Sequence, residues 1–187
     1  MFATFKPSFA VILCFVISAC SSIPLTTLLK FSSYDEQELL KLKPKQIRAK
    51  LTVNSFLNID LVNTKLGVTI KSNNGDLALE FPLKQMSLSQ TPAKISFFSS
   101  TPASQTYLLK LSDKAIADFI ALQQQLTLSE KNTFGLSVAA KLERNENLSP
   151  EQKAQRLFMT IELKLSEQQD FFTLIDNAEI SDMSSSN

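Results

Sequence analysis

The 187-residue chain contains no histidine and no tryptophan, three glycines and two cysteines. Each shortage excludes something. Without histidine, the commonest general base and the commonest metal ligand are both missing. Gly67, Gly75 and Gly135 stand too far apart to form a phosphate-cradling loop. Cys14 lies inside an apolar leader, so a chain cut before Cys20 keeps a single thiol and can form no internal disulfide. Charge of one sign is also lacking. Nineteen Lys and Arg face eighteen Asp and Glu, for a formal net charge of +1. Such a chain has no global field to attract nucleic acid, and no nucleic-acid partner is expected. No Ser-x-x-Lys or Gly-x-Ser-x-Gly pattern is present, and no Asp-rich loop of the calcium-binding kind. Carboxylate pairs such as Glu36 with Glu38, or Asp113 with Asp118, fit helix starts better than acid–base chemistry. The expectation is a protein that is not an enzyme and carries no metal or cofactor.

What is present begins with a processing signal. Lys6 lies in a short first segment, an apolar run spans Phe9 to Ile17, and small residues follow. These are the three parts of a secretory leader, and the run is too short to span a bilayer, which takes about 20 residues. Ile17-Ser18-Ala19-Cys20 resembles the lipobox of bacterial lipoproteins. That resemblance covers the leader and identifies a processing class, not a fold. It implies cleavage before Cys20, diacylglycerol on the Cys20 thiol and a further acyl chain on its amine. One acyl chain binds a membrane only marginally, whereas two or more anchor stably. Ser21 stands where an Asp would favour inner-membrane retention in this class, so the resemblance implies an outer-membrane anchor facing the periplasm. The expected layout is a signal peptide over 1–19, a short tether over 20–24, one β-rich domain over 25–182 and a flexible tail over 183–187.

The mature chain reads as alternating strands. Ser33-Tyr34-Asp35-Glu36 fits a capping box for a short helix to about Leu42, stopped by Pro44. Ile47, Ala49, Leu51 and Val53 alternate with Arg48, Lys50 and Thr52, the pattern of a half-buried strand. Leu66-Val68-Ile70 and Leu77-Leu79-Phe81-Leu83 flank Asn74-Gly75, a hairpin signal. An edge strand is expected around Ile95-Ser96-Phe97-Phe98, and another strand at Tyr107-Leu109-Leu111. Ser112-Asp113 then opens the one long amphipathic helix, over about 113–128, with Ala115, Phe119, Leu122 and Leu126 on its apolar face. Further strands run from Phe134 to Leu142 and from Leu157 to Leu165, with a helix start at Ser149-Pro150 between them. Residues 167–176 fit helix or edge strand equally. Alternation leaves one face wet and favours antiparallel pairing. The expected fold is mainly β, an antiparallel sandwich-like domain of six or seven strands with one helix, or alternatively a curled sheet wrapped around that helix.

Three features are candidates for contact with a partner. Lys41, Lys43, Lys45, Arg48 and Lys50 give five cations without an acid, close after the anchor, and suit a membrane surface. The helix could dock in a groove, and Phe97-Phe98 and Phe171-Phe172 each put adjacent aromatics on opposite faces of a strand. Two functions are expected from this reading. The first is a lipid-anchored, non-catalytic interaction or scaffold module with an envelope protein partner. The second is a carrier holding an apolar ligand inside a curled sheet, which would need an interior cavity of about 300 Å³ or more.

Overall fold

A computed structural model of the protein describes residues 36–72, 75–96, 100–126, 133–144 and 147–180. Its strands are β1 (Arg48–Asn54), β2 (Leu57–Ser72), β3 (Gly75–Thr91), β4 (Lys94–Ile95), β5 (Ser100–Thr101), β6 (Ser104–Leu111), β7 (Thr133–Arg144), β8 (Leu157–Lys164) and β9 (Phe172–Ile180). Its α-helices are α1 (Glu36–Lys41), α2 (Asp113–Gln125) and α3 (Pro150–Ala154). Seven strands form one antiparallel sheet in the order β7-β2-β3-β6-β1-β8-β9. β4 and β5 pair separately as a small ribbon. The mainly-β, antiparallel, one-helix expectation is met. The single sheet curls until it is nearly barrel-shaped.

Two long strands carry irregularities, and one of them, β3, passes from one neighbour to another. β3 pairs with β2 over Gly75–Pro82 and with β6 over Leu83–Thr91. An irregularity at Met86 sets two steps of β3 against one of β6, which bends the strand and inverts the faces of the residues beyond it. β2 has a larger irregularity. Five steps from Asp60 to Lys65 face two steps from Lys141 to Ala139. The inward positions therefore change from Leu57 and Ile59 to Leu66, Val68 and Ile70. Asp60 organises this bulge. Its carboxylate accepts from the Val62 and Asn63 amides at 3.0 and 3.2 Å and from Asn63 Nδ2 at 2.6 Å. The first part of β2 is joined to β6 by side chains. Gln105 donates to the Leu57 carbonyl and, at 2.9 Å, to the Tyr107 hydroxyl.

The interior is one hydrophobic cluster. Ala49, Leu51, Leu66, Leu109, Leu111, Ile161 and Leu163 line the sheet, all fully or almost fully buried. α2 presses Ala115, Phe119 and Leu122 into it. The Phe119 ring has no exposure and meets Phe81 at 5.0 Å between centroids, tilted by 49°. The Ser112 hydroxyl caps α2 by accepting from the Ala115 amide at 3.1 Å. α2 ends at Gln125, short of the expected 128, because Leu126 is already extended. Gln123 is turned away to donate to the carbonyls of Leu39, Leu40 and Leu42, at 2.8, 3.3 and 2.9 Å. These carbonyls lie at the end of a short helix, where intrahelical donors run out, so Gln123 fastens α1 to α2.

Other expectations resolve locally. Ser149 and Gln152 form a full capping box at α3. Residues 172–180 are strand, settling the ambiguity over 167–176 after a turn at 166–169. Gly75 carries the expected positive φ, +123°, but pairs with Ser72 instead of forming the middle of the turn. The expected edge strand around Ile95 shrinks to Lys94–Ile95, with Ile95 almost wholly exposed. The Ser33 cap, Cys20, and Phe97-Phe98 lie outside the described residues.

Candidate functional site

The inward side chains of β1, β6 and β8 are apolar or hydrogen-bonded, so the alternate residues of the same strands must point outward. Cross-strand pairing then decides which outward residues meet. Lys84 on β3 stands opposite Lys110 on β6, Lys110 opposite Arg48 on β1, and Arg48 opposite Lys164 on β8. Four cations thus form a row across four adjacent strands, on the outer face. Strands lie about 4.8 Å apart, so the row is about 14 Å long. Like charges directly opposite one another destabilise a sheet by roughly 0.2–1 kcal/mol per pair.

The row is only partly compensated. Lys84 bonds to Asp113 at 2.7 Å. That bond, and the charges of Lys84, Lys110 and Lys45, hold the Asp113 carboxyl below the usual carboxylate range. The Arg48 guanidinium donates to the Lys45 and Ile47 carbonyls, at 2.7 and 2.8 Å, and so lies along the surface without an acid. Among the described residues, no carboxylate lies within salt-bridge distance of Lys110, Arg48 or Lys164. Lys50, two residues further along β1, reaches Glu162 only at 4.0 Å. Its ammonium stands 3.8 Å from the centre of the Phe171 ring, and Lys164 stands 5.9 Å from the same ring. Phe172, the first residue of β9, is buried, whereas Phe171 precedes the strand and is partly buried, so the two do not form the expected pair within one strand.

The structure therefore divides the basic stretch seen in the sequence. Lys41 is paired with Glu38 at 3.0 Å on α1. Lys43 and Lys45 are exposed beside the 3-10 turn Pro44–Gln46. Arg48 joins three cations from distant segments, while Lys50 leans on Phe171 and Glu162. Lys84, Lys110 and Lys164 were invisible to the sequence reading as site residues. Their outward phase was readable from strand alternation, but the strand order that aligns them was not. Of the helix expected over 113–128, α2 turns Ala115, Phe119 and Leu122 into the core and leaves Ile120 as an exposed large apolar residue.

Two shallow clefts lie elsewhere. One, of about 140 Å³, is bordered by Thr52, Asn54, Ser104, Phe158 and Thr160. The other, of about 170 Å³, lies between α1 and the 166–169 turn. Neither includes a residue of the cation row, and both are smaller than a carrier's cavity. Among the described residues no helix is long and apolar enough to cross a membrane, and no group of three or more acidic or cysteine side chains could hold a metal ion. Comparison with known proteins finds no matching family, no similar curated protein and no similar solved structure.

Proposed function

We propose that the protein is a lipid-anchored envelope lipoprotein whose folded domain is a non-catalytic interaction module. In this reading the chain is cut before Cys20, acyl chains on Cys20 hold it in the outer membrane, and the domain faces the periplasm. Ile17-Ser18-Ala19-Cys20 supports the anchor, and Ser21 supports transfer to the outer membrane. The partner would be another envelope component.

The observation that carries the choice of module over carrier is the interior. A nearly closed antiparallel sheet is a shape that elsewhere encloses ligands. In support of the module, Phe119, Phe81, Leu109, Leu111 and Leu163 belong to the core cluster of this sheet, each at most 3% exposed. A protein that fills its interior with its own side chains has its outer surface left for recognition.

Cys20→Ser tests the anchor. Cells expressing either form are given a fatty-acid analogue that can be tagged after lysis. Label is expected on the wild type and absent from the variant, which should also keep its leader. Equal label on both would refute the lipid anchor at Cys20.

A further inference from the structure

We infer that the row Lys84–Lys110–Arg48–Lys164 is a binding surface for the phosphate groups of anionic lipid headgroups. The inference rests on the lipid-anchored reading for its choice of occupant, and on cross-strand register for the site. A chain with a net charge of only +1 has gathered four cations in direct opposition on one sheet face, where they oppose each other's folding. Lys45 and Lys50 lie beside them, and the carboxylates in contact with this group are Asp113 and Glu162. The face is therefore strongly positive while the molecule as a whole is not.

Shape separates an extended anionic layer from a small anion. The row runs across four strands of the sheet's outer face and lines neither cleft, so its cations are spread along a surface and not gathered around one point. Lys ammonium groups act as point charges for phosphate, and the Arg48 fork adds directional donors. Position also favours the membrane. The chain enters the folded body through α1 and the 3-10 turn, and Arg48 follows two residues after that turn. In chain order, Arg48 is thus the cation of the row that follows most closely on the candidate anchor at Cys20. Lipid on Cys20 would hold the domain near the bilayer, and the row would set which face meets it.

The test uses residues 21–187, which contain the whole described core from Leu39 to Leu174 and lack the acylated cysteine. Vesicles of phosphatidylglycerol with phosphatidylcholine are compared with vesicles of phosphatidylcholine alone, by cosedimentation. Each cation near an anionic surface contributes about a fivefold change in binding. Lys110→Gln with Lys164→Gln should therefore weaken binding to the anionic vesicles by about 25-fold. Lys71→Gln with Lys94→Gln removes the same net charge away from the row, and should change binding by less than about twofold. Raising salt from about 0.01 M to 0.15 M shortens the screening length from about 30 to 8 Å and should weaken the wild type most. Thermal melts of both variants check that they are folded. The inference is overturned if the wild type stays in the supernatant at low salt, or if the two double variants lose binding equally. It is also overturned if inorganic phosphate raises the melting temperature while anionic vesicles do not bind. Because this chain carries no acyl group, its result is independent of the labelling result for Cys20.

Discussion

The two faces of the β6-β1-β8 sheet are built from the same three strands and follow opposite rules. Inward, Leu109, Ala49 and Leu163 share one row and are completely buried. One residue along, Lys110, Arg48 and Lys164 share the next row and point out. The inner row is what folding selects, since burying a large aliphatic side chain stabilises by about 1.5–3 kcal/mol. The outer row is what folding alone disfavours. Natural sheets commonly alternate charge sign across strands, because opposite charges attract and like charges repel. A surface that gives up local stability in this way is a better indicator of function than a buried position, whose composition packing already explains.

The largest expected effect lies on the inner side. Phe119→Ala should lower stability by about 3–5 kcal/mol, because it opens a void beside Phe81 at a fully buried position. Denaturant titration measures it. A loss below about 1 kcal/mol would mean that α2 is a surface cover and that Phe119 is not part of the tightly packed interior. The outer face should respond with the opposite sign. Lys110→Gln with Lys164→Gln should leave stability unchanged or raise it by up to about 1 kcal/mol, since it removes repulsion and breaks no ion pair among the described residues. A clear loss in the same titration would make the row a structural element and erase the contrast between the faces.

Those two faces also differ in how legible they were. The inner face could be read from alternation alone: Ala49, Leu51 and Val53, then Tyr107, Leu109 and Leu111, all proved to be inward. The Ser112 and Ser149 caps were legible because capping is local chemistry between residues three apart. β2 was read only from Leu66 onward. Its earlier part, with Leu57 and Ile59 inward, lies in the opposite phase across the Asp60–Lys65 bulge, so the pattern looks interrupted where the strand in fact continues. The second half of β3 was missed because Gln85 to Thr91 is largely polar and exposed on both sides, and only its pairing with β6 makes it a strand. The cation row was out of reach for a related reason. Lys84, Lys110, Arg48 and Lys164 are separated by dozens of residues, and their alignment depends on the order β3-β6-β1-β8, which no local pattern encodes.

Whether the interior is closed to ligands, so that the outer surface does the work, can be measured by native mass spectrometry. Residues 21–187, exported behind an ordinary cleavable signal peptide, are purified from the bacterial periplasm without denaturation and weighed under native and denaturing conditions. A filled core predicts the same mass in both, that of the polypeptide alone. An apolar ligand retained in native spectra, at about one per chain and lost on denaturation, would contradict it and make the protein a carrier.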